Sequence, residues 1–587
     1  MKNFLKYTLA TILGIFVTGM ILFIIGIVGL TGLLVSSTSS TTKIDDSSIF
    51  VLDLQGCITE RYQENPFNLL LGETQRPIYG LDDILTSIRK AKENKQIKGI
   101  FLNAGLLDCA PASLQAIRNA LADFKQSKKF IVAYSGAYTQ GCYYIASIAD
   151  KLIVNPTGSI SWHGLSAQTI FLKDLLAKVG IEMQVFRVGT YKSAVEPYTE
   201  TTMSVANREQ TMDFLQSIWK QIKEEVAQSR TISTDSLNML ADWNMDMQPA
   251  ETYLSTGLAD TLMYQDEVLS YLKNLTNKKE SDELVTLTIE DMINLPDNKT
   301  SQALNTIAVY YAFGEIGSED HYEENINAEK VTTDLRKLRE DKNVKAVVLR
   351  INSPGGSAYD SEQIWREITR LKEEKPVVVS MGDYAASGGY YISSAADWIV
   401  AEPTTLTGSI GIFGLIPNTQ KLTEEKLGLH FDVVKTNPLA DAISIFRPCT
   451  EVEKHQMQVM INNGYELFVK RCADGRNMSV EDIKKIAEGR VWTGKTAKEL
   501  NLIDDLGGIY TAIEKAATLA NLEDYTVSNL PEKENLFSSL LNTPAERYIH
   551  TRLYKEFGIY SDCFSILQHI EKADILQARM PYTVNIN

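Results

Sequence analysis

Two long stretches of the sequence resemble each other: FIVAYSGAYTQGCYYIASIADKLIV at residues 130–154 and VVVSMGDYAASGGYYISSAADWIV at residues 377–400. Each starts with β-branched residues typical of a buried strand, passes through small residues into a short apolar helix, and ends in a second apolar run. A Gly-Ser-Ile triplet follows both, at residues 158–160 and 408–410. The pattern predicts one strand, turn, helix and strand unit that occurs twice.

Further matches keep the same order along the chain. They are IFVLDLQGCI (49–58) with IAVYYAFGEI (307–316), IKGIFLNAG (97–105) with VKAVVLRIN (344–352), and TGLADTL (256–262) with LNLIDDL (500–506). Chance similarity would not preserve this order with a nearly constant offset. We therefore predict a duplicated domain, and the alternation of strands with helical stretches at 113–124 and 361–372 predicts an α/β fold.

Composition divides the chain into five predicted parts. Residues 1–45 hold the N-terminus, a membrane anchor and a short linker, and residues 46–276 form the first domain. A stretch rich in charge, Pro and Asn marks a linker at 277–301. Residues 302–530 form the second domain. Residues 531–587 are a C-terminal extension with helical patterning that the repeat does not explain.

The N-terminal part carries a candidate membrane span. Residues 8–35 contain no charged side chain and are long enough to cross ~30 Å of hydrocarbon. Lys2 and Lys6 precede the span, so the positive-inside rule places the N-terminus in the cytoplasm and both domains outside. A cleaved signal peptide is the alternative, but the apolar run is long and the cleavage site weak. We expect a single-pass membrane protein.

The overall charge and the cysteines exclude other classes of protein. The formal net charge of -16 argues against nucleic acid as a partner, because phosphate binding needs clustered Lys and Arg. The six cysteines contain no CxxC pair, so they predict neither a zinc ribbon nor a thioredoxin-type site. We expect buried thiols, no metal and no other cofactor.

The differences between the two copies point to chemistry. Only the second copy has Ser387 in its glycine turn, and only the second has the paired Gly355 and Gly356 after an earlier strand. Only the first copy has Lys192, whose counterpart in the second is Ala440. The copies therefore hold complementary parts of one site, and we expect neither half to act alone.

Acyl transfer needs a nucleophile, a base and N–H donors for the oxyanion. Ser387 precedes an apolar helix whose N-terminus favours negative charge, and the amides of Gly355, Gly356 and Gly388 would form the oxyanion hole. Lys192 would be the base if burial lowers its pKa from about 10.4. An ion pair with Glu196 would oppose that shift of the lysine pKa, so we expect Glu196 to point elsewhere.

Structural alternatives exist for each motif. Small-residue turns usually serve packing, and a lone lysine is usually a solvated surface charge. A histidine base is the common alternative to lysine, but none of the six histidines is well placed. His163, for example, has Phe413 as its counterpart and lies in the copy without the serine. No HExxH or comparable metal-ligand spacing occurs.

Five segments together resemble the signal peptide peptidase A family in its long, duplicated form. They are GTYKSAVEP (189–197), NSPGGS (352–357), ASGGY (386–390), LTGSIG (406–411) and GRVWTG (489–494). The resemblance implies that Ser409 orients the lysine and that residues 489–494 are structural. It also implies the β-β-α spiral fold shared with the Clp protease proteolytic subunit and the crotonases.

The same resemblance implies a membrane-anchored serine endopeptidase that degrades signal peptides left in the bacterial inner membrane, with its catalytic domains on the periplasmic side. It further implies a bowl-shaped homotetramer. One rival hypothesis is a crotonase-like enzyme that binds an acyl-CoA, and another is an inactive membrane scaffold or regulator. The sequence leaves open whether Ser387 and Lys192 meet within one chain or between chains.

Overall fold

The computed structural model describes residues 7, 11, 13–21, 44–62, 77–296, 303–317, 325–533 and 576–580. Most of the predicted anchor at 8–35 therefore lies outside the described residues, and its described part, at residues 11 and 13–21, is helical and exposed. Within these described ranges, no helix is both long and apolar enough to cross a membrane. The membrane span stays a prediction.

From residue 44 onward, the first half of the chain supplies ten helices and eight strands within the described residues. They are β1 (Ser48–Thr59), β2 (Ile78–Gly80), α1 (Leu81–Glu93), β3 (Ile97–Asp108), α2 (Pro111–Lys125), β4 (Phe130–Tyr138), α3 (Gln140–Ala146), β5 (Lys151–Ile160), α4 (Lys173–Val179), β6 (Glu182–Arg187), α5 (Glu196–Thr199), α6 (Val205–Arg230), α7 (Thr234–Ala241), α8 (Ala250–Ser255), β7 (Thr261–Leu262), α9 (Gln265–Leu275), β8 (Thr286–Leu287) and α10 (Ile289–Asn294). Two 3-10 turns lie at Ser193–Val195 and Met245–Met247. The elements β8 and α10 fall within the predicted polar linker.

The second half follows the same alternation. Its elements are β9 (Thr306–Phe313), β10 (Glu315–Gly317), β11 (Asn325–Asn327), α11 (Ala328–Glu340), β12 (Val344–Ser353), β13 (Gly355–Ser357), α12 (Ala358–Lys372), β14 (Val377–Ala386), α13 (Gly388–Ser393), β15 (Trp398–Ala401), β16 (Leu406–Gly408), β17 (Phe413–Asn418), α14 (Glu451–Arg476), α15 (Val480–Ile486), β18 (Val491–Thr493), α16 (Gly494–Glu499), β19 (Asp505–Leu506), α17 (Ile509–Leu519), β20 (Thr526–Leu530) and β21 (Leu576–Arg579). A π-helical turn covers Leu422–Lys426.

Each half has its own largely parallel sheet, and the two sheets share one strand order. The first runs β2-β1-β3-β4-β5-β7, with β8 also on β1. The second runs β18-β16-β14-β12-β9-β20, with β15 on β14 and β19 on β15. The matched strands therefore pair as β1-β3-β4-β5 in one sheet and β9-β12-β14-β15 in the other, which confirms the predicted duplication and the α/β class.

Helices on both faces bury the central strands of each sheet. Along β12, Val347, Val348 and Leu349 are all at most 3% exposed. A continuous apolar run of this kind is typical of a parallel strand that is covered on both faces. The cores of both halves hold the end of β14 and the start of α13 in place, and this is the turn that carries Ser387.

A third, smaller sheet joins the two halves. Its order is β11-β10-β13-β21-β17-β6, so it includes β6 from the first half and β21 from the C-terminal extension. Antiparallel pairing of β6 with β17 runs from Arg187 opposite Phe413 to Glu182 opposite Asn418. The lysine segment follows β6 directly, so this pairing carries it from the first half into the second.

Buried polar contacts also cross between the halves. Glu60, after β1, accepts two hydrogen bonds from the guanidinium of Arg350 on β12, at 2.9 and 2.7 Å. Ser113 on α2 donates from its backbone amide and its hydroxyl to the carboxylate of Asp383, at 2.8 and 2.6 Å. Buried polar groups are costly without hydrogen-bond partners, so these contacts stabilise one arrangement of the two halves.

Glu402, also at this interface, makes stability depend on pH. Its side chain is 2% exposed and accepts a hydrogen bond from Asn119 at 3.0 Å. Burial raises the pKa of this carboxyl from 4.5 to about 7. The unfolded chain therefore releases this proton at lower pH than the folded protein, and this group makes stability fall as pH rises from about 4.5 to 7.

We expect Glu402→Gln to remove that part of the pH dependence. At pH 8 the variant should be more stable than the wild type by about 1–3 kcal/mol, because no charge has to be buried. At pH 4 the two proteins should be nearly equal. Chemical denaturation at both pH values measures this, and an equal loss of stability at both would contradict the role assigned to burial of the charge.

Candidate active site

The backbone holds Ser387 in a sharp turn between β14 and α13. Its φ of +55° and ψ of -113° are rare for a residue with a side chain. The Ser387 amide donates to the Gly408 carbonyl at 2.8 Å, and its carbonyl accepts from the Tyr391 amide at 2.8 Å. These bonds on either side of the residue hold the backbone of the turn in place.

Lys192 reaches this turn because its segment is bound to the second half. The Val188 amide donates to the Ile412 carbonyl at 3.2 Å, and the Tyr191 amide donates to the Glu488 carbonyl at 3.0 Å. The lysine side chain is 1% exposed. The chain therefore brings together within one molecule the two predicted residues that lie on different halves.

The amine of Lys192 has three polar neighbours. Its Nζ lies 2.7 Å from Ser387 Oγ, 3.1 Å from Ser409 Oγ and 3.1 Å from the Ser409 carbonyl oxygen. Burial lowers the pKa of this lysine well below its ordinary value. A neutral amine has two N–H groups, which can donate to Ser409, and one lone pair, which can accept the proton of Ser387.

The Glu196 carboxylate points away from the lysine, as the sequence predicted. It accepts hydrogen bonds from the Ser204 amide at 3.1 Å, the Ser204 hydroxyl at 2.6 Å and the Asn207 side chain at 2.8 Å. These donors lie at the N-terminus of α6, where a negative charge is favoured. Glu196 is therefore not the counter-ion of Lys192, and it does not hold that amine in its charged form.

The two loops that carry the predicted glycines approach each other next to the serine. Gly355 has φ of +101° and Gly356 has φ of +155°, a region that favours glycine. A β-carbon on Gly355 would lie 2.7 Å from the Gly388 amide nitrogen, which shows how close the two loops are. Gly355 therefore packs against Gly388, the residue that follows Ser387, and its own amide donates to the Ser353 hydroxyl at 3.1 Å.

The sequence analysis predicted only a structural role for residues 489–494. In the structure, the segment 488–490 also contacts the residues of the site. Gly489 has φ of +80°, and a β-carbon there would lie 2.7 Å from Lys192 Cα. The Gly489 amide donates to the Ile410 carbonyl at 2.8 Å, and the Ser409 amide donates to the Arg490 carbonyl at 2.7 Å. The segment holds Lys192 and Ser409 against each other, and the GRVWTG motif was its only signal.

We expect Gly489→Ala to lower kcat by about 100-fold or more, because a new methyl group has to displace Lys192. Gly428→Ala is the matched control: Gly428 also has a positive φ, of +68°, but no atom lies within 4 Å of a β-carbon there. Both variants bear similar backbone strain, so similar melting temperatures with activity lost only in Gly489→Ala support the packing argument. Equal activity in the two would contradict it.

Other candidate groups lie away from this site. The described histidines, His163, His430 and His455, are exposed. His321, His550 and His569 fall outside the described residues. Within the described part of the chain, no group of three or more His, Cys, Asp or Glu side chains could hold a metal ion. The hydroxyl, amine and glycine amides are the groups that this site offers, and they suit acyl transfer.

A serine beside a buried amine and converging glycine amides, on a duplicated α/β scaffold, defines a serine hydrolase. Comparison with known proteins identifies the family within this class. The model of Peptidase family S49 matches residues 123–279 and 369–523, one match in each half, and the model of Clp protease matches residues 302–401. The chain therefore belongs to Peptidase family S49, and it is a serine protease.

Similar proteins cover most of the chain. Protease 4 of Salmonella typhi is 36% identical over 512 residues, 84% of this chain and 82% of the relative. Protease 4 of Haemophilus influenzae is 32% identical over 569 residues, 93% of this chain and 92% of the relative. The chloroplastic serine protease SPPA of Arabidopsis thaliana is 32% identical over 489 residues, which are 82% of this chain and 70% of the relative. The resemblance predicted from the motifs is confirmed.

Proposed function

We propose that the protein is a membrane-anchored endopeptidase that uses Ser387 as nucleophile and Lys192 as general base to degrade cleaved signal peptides. The observation that carries this proposal is the 2.7 Å distance from Lys192 Nζ to Ser387 Oγ in a site where the lysine is 1% exposed. At that distance a neutral amine can take the serine proton directly.

The reaction follows from this arrangement. Lys192 Nζ accepts the proton as Ser387 Oγ attacks a peptide carbonyl. The amides of Gly356 and Gly388 stabilise the oxyanion, since the Gly355 amide already donates to Ser353. The protonated lysine then donates to the leaving amine as the C–N bond breaks. Water hydrolyses the acyl-enzyme, with Lys192 again as base, while Ser409 keeps the amine oriented.

The strands beside the site suit an extended peptide. β21 pairs with both β13 and β17 beside the site, so a peptide that takes the place of β21 can pair with both strands. Main-chain pairing of this kind tolerates many sequences, which suits the degradation of varied signal peptides.

The proposal also covers the fold, the membrane topology and the assembly. Each half has the β-β-α spiral, and four chains form a homotetramer. Residues 8–35 anchor the protein in a bacterial inner membrane, with both domains on the periplasmic side.

Covalent labelling tests the proposal. We expect a fluorophosphonate to modify Ser387, as located by peptide mass spectrometry, and Lys192→Ala to abolish the labelling. Ser393→Ala is a matched control, because Ser393 is a fully buried serine of α13 whose hydroxyl instead donates to the Gly389 carbonyl at 2.6 Å. It should be labelled at Ser387 as the wild type is.

The rival hypotheses give other outcomes. An acyl-CoA-binding crotonase-like enzyme predicts no covalent trapping at Ser387, and an inactive scaffold predicts neither trapping nor turnover. Absence of labelling in a folded wild-type protein would therefore refute the proposed nucleophile. Labelling that persists in Lys192→Ala would refute the proposed base.

A further inference from the structure

One buried glutamine contacts both neighbours of the proposed general base. Gln210, on α6, is 0% exposed. Its side-chain nitrogen donates to the Tyr191 carbonyl and to the Ser193 hydroxyl, each at 3.0 Å. Its side-chain oxygen accepts from the Val491 amide at 3.2 Å. Since a backbone carbonyl can only accept and a backbone amide can only donate, these partners fix the orientation of the side chain. Gln210 therefore joins the residues on either side of Lys192 to β18.

The strand β18 connects this contact to the rest of the site. It pairs with β16, where Val491 lies opposite Gly408, and the Gly408 carbonyl accepts from the Ser387 amide. The residue after Gly408 is Ser409, whose hydroxyl and carbonyl oxygens each lie 3.1 Å from the lysine Nζ. The glutamine therefore sets the backbone of the lysine loop relative to the two serines that the lysine amine contacts.

The amide group of Gln210 suits this position because it is neutral and carries two N–H donors and one acceptor oxygen. An apolar side chain of the same length would leave the Ser193 hydroxyl and the Val491 amide without this partner, and both bonds are buried. A buried polar group that loses its partner costs about 1–3 kcal/mol. The lysine loop would therefore move until these groups found other partners.

Exposed charges on the same helix support the lysine loop more weakly. Arg490, whose guanidinium lies over the Tyr191 ring, forms ion pairs with Glu209 at 3.2 Å and with Asp213 at 2.6 Å. The two carboxylate side chains are 51% and 52% exposed, and exposed ion pairs contribute at most about 1 kcal/mol. The buried Gln210 is therefore the contact from α6 that most restrains the loop.

We propose that Gln210 is a positioning residue for the general base, an inference that rests on the proposed role of Lys192. It holds the lysine loop so that Lys192 Nζ stays at hydrogen-bond distance from Ser387 Oγ. Proton transfer needs that distance, and a displacement of about 1 Å lowers a catalytic rate by roughly 100-fold. Loss of the glutamine amide should therefore slow the chemical step and leave peptide binding almost unchanged.

Steady-state hydrolysis of a peptide by Gln210→Met tests this role, since methionine has a similar length and no amide. We expect kcat to fall by about 100-fold and KM to change by less than about threefold. Gln115→Met is the matched control: Gln115 is 1% exposed and also joins the halves, donating to Glu225 at 2.9 Å and accepting from the Thr404 hydroxyl at 2.8 Å. It should lose stability and keep its kcat. Equal losses of kcat in the two variants would overturn the inference.

A Lys192→Met background shows whether Gln210 acts through the lysine. There, Gln210→Met should lower the residual kcat no further, whereas a second loss of about 100-fold would show a structural effect and overturn the inference. Gln210→Glu keeps the shape and the acceptor but cannot donate when ionised. It should lose kcat as Gln210→Met does, and it tests the role if the methionine variant does not fold.

Lys192→Met alone separates the two proposals. An inactive Lys192→Met beside a fully active Gln210→Met would overturn the positioning role and leave the proposed function intact. A fully active Lys192→Met would refute the proposed base, and the positioning role with it.

Discussion

Replacing Lys192 with methionine is expected to lower kcat by roughly 1,000-fold or more while leaving the protein folded. Methionine has a similar length and is uncharged, so it fills the same buried space. It has no lone pair or proton suited to acid–base catalysis. Steady-state hydrolysis of a peptide, together with a melting curve, measures both parts of this expectation.

The pH dependence of the wild type gives a second readout of the same residue. Only the neutral amine can accept a proton, so kcat/KM should rise with pH and reach a plateau. Because burial lowers the pKa of Lys192, that plateau should begin well below pH 10.5. The residual activity of Lys192→Met should lack this rise.

Lys129→Met is the matched control for Lys192→Met. Burial lowers the pKa of Lys129 to about 8, but its amine donates to backbone carbonyls, including that of Ala91 at 2.6 Å, and not to Ser387. We expect this variant to lose some stability and to keep its kcat. If both variants kept full activity, Lys192 would not be the base; if both lost it equally, the effect would be structural.

Unlike most substitutions of buried residues, Lys192→Met should not lower the stability of the fold. At neutral pH the folded wild type has to hold this lysine without its charge, which costs stability relative to the unfolded chain. Methionine removes that cost but also removes the hydrogen bonds of Nζ to Ser387 and Ser409. We therefore expect a melting temperature close to or above that of the wild type.

The sequence predicted the duplication and the catalytic pair because both leave a local signal. The repeat preserves strand patterns, and the pair appears where one copy has a reactive side chain and the other has none. Ser387 and Lys192 could be proposed from that comparison alone, although 195 positions separate them. The contact between them in the structure depends on the pairing of β6 with β17, which no periodicity in the sequence predicts.

The features that sequence reasoning missed depend on contacts between residues that are far apart in the sequence. Gly489 has no reactive group, and its importance comes from its approach to Lys192, which only coordinates reveal. The strand β21 is four residues long, too short for a periodic pattern, and lies outside the repeat. The proposed anchor at 8–35 rests on composition, and most of it lies outside the described residues.

The largest expected effect on stability comes from Arg350→Met. The side chains of Arg350 and Glu60 are 5% and 2% exposed, and Arg350 also donates to Ser380 and to the Met381 carbonyl. Removing the arginine leaves the Glu60 carboxylate buried without its charged partner. We expect the variant to lose about 3–5 kcal/mol of unfolding free energy in chemical denaturation.

A surface pair provides the control, since Lys495 and Glu224 also join the two halves, at 3.6 Å, but are 37% and 42% exposed. Lys495→Met should cost less than about 1 kcal/mol. The double variant Glu60→Leu with Arg350→Met removes both buried charges and should recover much of the loss. If Arg350→Met cost no more than Lys495→Met, the buried pair would not hold the halves together. Lys192 could then reach Ser387 through the β6–β17 pairing without this contact.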